Sequence, residues 1–120
     1  MAGLGRQGEK LKNKYRNRKT TIDGITFDSK KEAARYAELK MLERAGEIQG
    51  LKLQPRYEIS KTVKWNGKTL RARFYVADFE YWQNGVRTVE DVKGMRTKEY
   101  TLKRHRFLEL YGDQVRFIET

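Results

Sequence analysis

The 120-residue sequence predicts an α/β domain in which a mixed sheet is flanked by two helices. Apolar residues recur with a helical period over residues 29–45 and 97–111, whereas the segment between them alternates with the period of strands. Asp-Gly and Asn-Gly pairs separate the extended segments, as in tight hairpins. The predicted order is an N-terminal hairpin, a helix, a three-stranded antiparallel meander, a second helix and a last strand.

Residues 1–19 predict a flexible basic arm ahead of a single domain over residues 20–120. Two interpretations of the arm are open, a solvated tail that aids solubility and a strap that follows phosphates. Its charge is nearly of one sign, which favours the strap. The cationic side chains that would contact phosphates there are Lys12, Lys14, Arg16, Arg18 and Lys19.

The first predicted elements are a small hairpin and a helix. Asp23-Gly24 favours the positive φ angles of a hairpin turn between two short extended segments. Ser29 is a good N-cap for the helix that follows, and Gly46 ends that helix after Ala45.

The middle of the chain is predicted to be extended. Residues 51–59 form one stretch bent at Pro55, and Asn66-Gly67 turns a hairpin. Residues 73–82 give the strongest strand pattern, and Asn84-Gly85 turns it back into a strand over residues 86–93. Thr97 then caps the second helix, Gly112 ends it, and residues 114–118 form the last strand.

The composition narrows the class of function. The chain has 27 Lys and Arg against 16 Asp and Glu, a net charge of +11, which favours a polyanionic partner such as nucleic acid. It has no cysteine, which excludes disulfides, thiolate zinc sites and a cysteine nucleophile. No apolar run is long enough to span a bilayer, and no secretory signal is visible. We therefore expect no membrane partner and a reducing cytoplasm as the compartment.

Two aspartates are the strongest candidates for chemistry. Asp78 lies in an otherwise apolar strand, where a carboxylate needs a cation or hydrogen-bond donors. The Asn84-Gly85 turn brings Asp91 to the neighbouring strand, and alternation puts Lys93 on the same side as Asp91. Adjacent carboxylates repel each other, so a divalent cation such as Mg²⁺ would stabilise the pair. The alternative is structural, an Asp91–Lys93 surface ion pair and an Asp78 that accepts backbone hydrogen bonds.

The spacing Asp78…Asp91-Val92-Lys93, in an order of helix, three strands, helix and strand, resembles the PD-(D/E)XK nuclease superfamily. The segments 23–32, 53–55, 77–79 and 90–94 together resemble a family of small phage and prophage proteins of that superfamily, similar to Holliday-junction resolvases and transposon end-cutting nucleases. Ala77 stands where the superfamily's name has proline. Glu90 could exchange with Asp91 by a one-residue shift, but it lacks a lysine two residues later.

The resemblance implies a restriction-endonuclease-like core and an Mg²⁺-dependent DNA endonuclease, with Mn²⁺ able to substitute. Asp78, Asp91 and the carbonyl of Val92 would bind the metal, and Lys93 would act on the attacking water. Glu32 would be a further catalytic carboxylate and metal ligand, although Ser29-x-x-Glu32 is also a capping box. Gln54 would support the site or merely satisfy a bulge, and Lys103 would lie near a phosphate or in solvent.

We expect the DNA to be bound mainly through its phosphates, by the arm and by a cluster near the second helix. That cluster consists of Arg96, Lys98, Lys103, Arg104 and Arg106. The resemblance implies branched or otherwise structured DNA, cut in phage recombination or replication in a bacterial host cytoplasm, and symmetric cutting would need a homodimer. The alternatives are a non-catalytic DNA-binding recombination accessory protein that keeps the nuclease fold, and a nuclease that cuts RNA.

Overall fold

The computed structural model describes residues 19–92 and 96–120. These residues form two compact units, one that ends at Met41 and one over Leu42–Thr120. In the first unit, strands β1 (Thr20–Ile22) and β2 (Ile25–Phe27) pair antiparallel. Asp23 and Gly24 turn between them with φ of 54° and 75°, so the predicted hairpin and its turn are confirmed.

Helix α1 (Lys30–Arg44) follows the first hairpin. The Ser29 hydroxyl accepts a hydrogen bond from the Glu32 amide at 3.1 Å, which is the predicted N-cap. The helix ends at Gly46, where φ of 80° suits a residue without a side chain. The Gly46 and Glu47 amides donate to the last carbonyls of the helix, those of Glu43 and Leu42.

The larger unit contains a four-stranded mixed sheet in the order β10-β9-β8-β3. Its strands are β3 (Gln49–Leu53), β8 (Phe79–Gln83), β9 (Val86–Asp91) and β10 (Arg116–Glu119). The first three are antiparallel neighbours, and β10 is parallel to β9. The predicted antiparallel pairing of β8 with β9 through Asn84-Gly85 is confirmed, and the α/β class with two helices is confirmed as well.

Two segments predicted as single strands are interrupted. The stretch through Pro55 divides into β3 and β4 (Arg56–Ser60), and the aromatic strand divides into β7 (Arg73–Val76) and β8. The two interruptions lie opposite each other, because the Gln54 amide donates to the Asp78 carbonyl and the Ala77 amide donates to the Pro55 carbonyl. Gln54 has φ of 51°, and proline cannot donate to a ladder, so the pairing changes sheet here. Asp78 therefore lies at a break in a long ribbon.

The far end of that ribbon carries a second hairpin, of β5 (Val63–Trp65) and β6 (Lys68–Leu70), as predicted from Asn66-Gly67. Helix α2 (Lys98–Tyr111) lies between β9 and β10 in the chain, and the Thr97 hydroxyl caps it by accepting from the Tyr100 amide at 3.0 Å. Its Phe107 is fully buried among aromatic rings of β4 and β7, with Tyr75 stacked at 4.8 Å. Among the described residues, no helix combines the length and apolar character that crossing a bilayer requires.

Candidate active site

Asp78 and Asp91 lie directly beside each other at one end of the β8–β9 pair. The register pairs Phe79 with Glu90, and the next positions along the two strands are Asp78 and Asp91. One carboxylate oxygen of Asp91 accepts from the Asp78 amide at 3.0 Å. One carboxylate oxygen of Asp78 accepts from the Val92 amide at 2.7 Å. Each carboxylate is thus held by the backbone of the opposite strand, which fixes the two aspartates against each other.

Tyr75 adds a third fixed contact to this pair. Its hydroxyl is hydrogen-bonded to the second carboxylate oxygen of Asp91, and both side chains are almost completely buried. A buried carboxylate needs donors of this kind, because burial penalises its charge. The Tyr75 ring stacks on Phe107, so the aromatic core also sets the position of the Asp91 carboxylate. Sequence reasoning missed Tyr75, since no local pattern places residue 75 opposite residue 91.

Glu119 lies on the other side of Asp91, because β10 runs parallel to β9 with these two residues in register. It accepts from the Tyr100 hydroxyl at 2.5 Å, from Arg96 at 3.0 Å and from Arg104 at 2.8 Å. Burial alone would raise the pKa of Glu119, but these hydrogen bonds outweigh it and lower the pKa to about 2. The pKa of Tyr100 is raised by burial, by the bond to Glu119 and by the negative charge of Asp91. Glu119 therefore stays ionised and links β10 to α2.

The low pKa of Glu119 predicts an acid-dependent loss of stability. Its ordinary value of 4.5 falls to about 2 on folding, so this stabilisation is complete above pH 4.5 and is lost as the pH falls toward 2. Glu119→Gln should remove on the order of 1–2 kcal/mol at neutral pH, after allowance for solvent screening, and should flatten the dependence over that interval. Urea unfolding at several pH values measures both effects. An unchanged acid dependence in the variant would contradict the assignment.

Another buried carboxylate, Glu80, lies two residues after Asp78, on β8. It accepts from the Tyr57 hydroxyl at 2.5 Å and from Arg87 at 3.1 Å, while the exposed Lys52 ammonium lies 3.8 Å away. Burial raises the pKa of Glu80, but the hydrogen bonds from Tyr57 and Arg87 and the charges of Arg87 and Lys52 outweigh it and hold the pKa below its ordinary value. Sequence reasoning missed this residue, although its period-two spacing from Asp78 was a usable signal.

The structure places the other predicted site residues as follows. Val92 is half-buried next to Asp91, and its amide holds Asp78. Gln54 is exposed at the ribbon break, where its backbone amide contacts the Asp78 carbonyl. Glu32 is 8% exposed in the first unit, with its amide on the Ser29 cap. Lys93, Lys12, Lys14, Arg16 and Arg18 lie outside the described residues.

The predicted phosphate-binding cluster is partly engaged in ion pairs. Arg96 and Arg104 both contact Glu119, and Lys103 contacts Glu99 at 3.2 Å one turn earlier on α2. Arg106 donates to the Ile59 carbonyl and pairs with Glu109. Lys98 and Lys19 are exposed. Sequence reasoning missed Glu119 as the common partner of two of these arginines, because the register of a parallel strand depends on tertiary packing.

The donor set at the Asp78–Asp91 pair consists of carboxylate oxygens and the neighbouring backbone. Within the described ranges, no group of three or more His, Asp or Glu side chains is arranged to hold a metal ion. Mg²⁺ is usually bound by one or two carboxylates, together with waters and substrate phosphates, and it takes oxygen ligands. The pair therefore fits a cation that keeps much of its water shell, and does not resemble a closed structural metal site.

The profile of the family described as "Protein of unknown function (DUF1064)" matches residues 12–119. The chain belongs to this family. No curated protein matches the chain.

Proposed function

For this member of the DUF1064 family, we propose the activity of an Mg²⁺-dependent endodeoxyribonuclease with its active site at Asp78 and Asp91. The observation that carries the proposal is the cross-strand contact of these two carboxylates, each held by a backbone amide of the other strand. Asp91 is completely buried and Asp78 is half-buried. A buried and a partly open carboxylate at one sheet end form an anionic site that a hard cation stabilises.

Asp78, Asp91 and the Val92 carbonyl are the residues proposed to hold the ion. Glu32, which the sequence resemblance implies as a further ligand, belongs to the first unit, and its role stays a prediction from the sequence. A bound Mg²⁺ polarises a phosphoryl oxygen and lowers the pKa of a bound water. The protein's contribution is positioning, since backbone amides and the Tyr75 hydroxyl fix three carboxylate oxygens of the pair. Lys93, two residues after Asp91, is proposed to orient the attacking water and to balance charge in the transition state.

The strand order supports the proposed membership of the PD-(D/E)XK superfamily. A helix precedes three antiparallel neighbours, β3, β8 and β9, and a second helix precedes β10, which is parallel to β9. This is the order on which the sequence resemblance depends. The break at Asp78 also lies between two different pairings, where the end of a strand can expose one carboxylate to a substrate.

The proposed substrate is DNA, bound through phosphates, and branched or structured DNA is its proposed form. The net charge of +11 supports a polyanion. Exposed Lys98 and the basic arm are the proposed phosphate contacts, with Lys103, Arg96 and Arg104 contributing if phosphates compete with their carboxylate partners. Cutting both strands symmetrically requires a homodimer, which is part of the same proposal.

The direct test is cleavage of labelled nucleic acid by the full chain. We expect Mg²⁺ or Mn²⁺ to permit cutting of DNA, branched forms best, and EDTA to abolish it. Linear duplex, single-stranded DNA, a four-way junction and an RNA of matched sequence form the panel. If the protein binds DNA but cuts none of these molecules with either metal, the proposed activity is wrong. Cutting of the RNA and of none of the DNA molecules would show that the substrate is RNA instead of DNA.

A specific observation favours a second candidate, a DNA-binding protein that keeps this fold without catalysis. The contacts of Asp78 and Asp91 with backbone amides and with Tyr75 also join β7, β8 and β9, which is a structural role in itself. The two candidates differ in one measurable property. A non-catalytic protein binds DNA equally well with EDTA and leaves it intact with Mg²⁺.

A further inference from the structure

The β5–β6 hairpin is the most exposed element of the larger unit. Every residue from 61 to 71 is exposed, and Asn66 and Gly67 turn the hairpin with φ of 50° and 73°. Trp65 is 58% exposed directly before that turn. A large aromatic side chain held at a hairpin tip in solvent buries little area, so folding alone does not explain it.

The hairpin is also strongly basic. Residues 61–73 contain five cations and no acid, namely Lys61, Lys64, Lys68, Arg71 and Arg73. No salt bridge joins any of the five to another residue in the part of the chain that the structure describes. The positive charges of these five side chains are therefore directed to solvent. The charges of Arg96 and Arg104, by contrast, are paired with Glu119. Such a surface attracts polyanions.

The register separates the two faces of the hairpin. Val63 pairs with Leu70 and Trp65 pairs with Lys68, so these side chains share one face. Lys64 lies on the opposite face, where its ammonium donates to the Thr69 hydroxyl at 2.8 Å. Trp65, Val63 and Leu70 thus form an exposed apolar strip with a cation beside the indole. An aromatic ring bordered by cations suits a base and its phosphates, since every base has a stacking face.

We propose that the β5–β6 hairpin binds a single-stranded segment of nucleic acid, with Trp65 stacked on an unpaired base. Lys68 on the same face contacts a flanking phosphate, and the positive charge of the other four cations attracts the strand to the hairpin. A base inside a duplex is already stacked on both sides, so Trp65 gains its contact only where the strand is unpaired. The hairpin therefore distinguishes single-stranded from double-stranded nucleic acid, and it does not distinguish one base sequence from another.

The hairpin and the Asp78–Asp91 pair belong to one ribbon. Ser60 pairs with Arg73, so β4 and β7 lead directly into the hairpin, and β7 continues to Asp78. Asp78 is ten positions after Lys68, which limits the distance between their Cα atoms to roughly 33 Å. That length corresponds to about ten nucleotides of one DNA strand. This extension rests on the proposed function: the enzyme should cut best where duplex meets single strand within about ten nucleotides of the scissile bond.

Binding is tested without cleavage, on the full chain in EDTA. The chain has two tryptophans, so Trp82→Phe leaves Trp65 as the only indole reporter. We expect a thymidine oligonucleotide of about ten nucleotides to quench Trp65 fluorescence on saturation, and a blunt duplex of equal length to quench it much less. Unchanged Trp65 emission at saturation with the single strand would overturn the stacking contact.

Matched variants separate stacking from other uses of this face. Trp65→Ala should weaken single-strand binding by about 5- to 150-fold, and Trp65→Leu should weaken it similarly because leucine keeps apolar area but has no π-face. Binding by Trp65→Leu as tight as that of wild type would contradict the proposal. So would self-association that is lost in Trp65→Ala while DNA binding is kept, since that result assigns the strip to a second copy of the chain.

The salt dependence of binding tests whether the cations of the hairpin contact phosphates. Lys68→Ala should reduce the slope of log affinity against log salt concentration by about 0.7 for single-stranded DNA, whereas Lys64→Ala, on the opposite face, is the matched control and should change the slope less. An unchanged slope in Lys68→Ala would show that this lysine contacts no phosphate and would overturn that part of the proposal. The outcome is independent of catalysis. Cleavage by a wild-type chain whose hairpin does not bind the single strand refutes the hairpin proposal alone, whereas single-strand binding without any cleavage refutes the proposed activity alone.

Discussion

Asp91→Asn is expected to reduce the Mg²⁺-dependent cleavage rate by about a thousandfold or more, because it removes the charge of a proposed metal ligand. The amide has almost the same volume as the carboxylate, so the side chain still fits its buried position beside Tyr75 and the Asp78 amide. Asp78→Asn should give a similar loss, since both carboxylates are proposed to hold the same ion. Single-turnover cleavage of labelled DNA at saturating Mg²⁺ measures the effect.

Asp113→Asn is the matched control, because Asp113 is an exposed aspartate in the turn after α2. It should cleave like wild type. DNA affinity in EDTA should change little in Asp91→Asn, and its unfolding transition should remain cooperative, which separates chemistry from folding. A variant that folds, binds DNA and still cuts at more than a tenth of the wild-type rate would contradict the role of Asp91.

Arg87→Ala is expected to destabilise the fold by about 2–4 kcal/mol, because it removes the main charged partner of a buried carboxylate. The Glu80 side chain is 4% exposed, whereas the Arg87 side chain is 32% exposed. After the substitution, the buried Glu80 carboxylate would keep the Tyr57 hydroxyl and the exposed Lys52 ammonium as partners. The Arg87 guanidinium also lies 5.8 Å from the Tyr57 ring centroid, and that contact would be lost. Urea denaturation at neutral pH measures the free energy of unfolding.

Two further variants test the cause of this loss. Lys52→Ala removes a cation that is 67% exposed and 3.8 Å from the same carboxylate, and it should cost less than about 1 kcal/mol. Combining Arg87→Ala with Glu80→Gln should recover part of the stability, because the buried charge is then gone. Strictly additive losses would show that Arg87 acts through packing instead of through Glu80.

The turns and helix ends were predictable because they depend on local chemistry. Asp23-Gly24 and Asn84-Gly85 adopt positive φ angles, and the Ser29 and Thr97 hydroxyls cap the helices they precede. The proximity of Asp78 and Asp91 was predictable from the Asn84-Gly85 turn, since a tight hairpin sets the register of both strands. These inferences needed only near neighbours in sequence.

The contacts that complete the site were not predictable in this way. The break at Asp78 depends on Pro55 and Gln54, more than twenty residues earlier, which pair opposite it. Tyr75 and Glu119 reach the Asp91 neighbourhood through a strand change and a parallel crossover, neither of which has a local signal. The alternating pattern of residues 73–82 concealed the interruption, because the residues on both sides of it continue to favour strands.

The most direct test of the proposed metal site is anomalous diffraction from crystals of the full chain grown with Mn²⁺. We expect a bound ion between Asp78 and Asp91, with an oxygen of each carboxylate about 2 Å from it. Carboxylates more than about 8 Å apart, or a strong Mn²⁺ peak elsewhere with none at this pair, would show that the two aspartates do not share a metal ion.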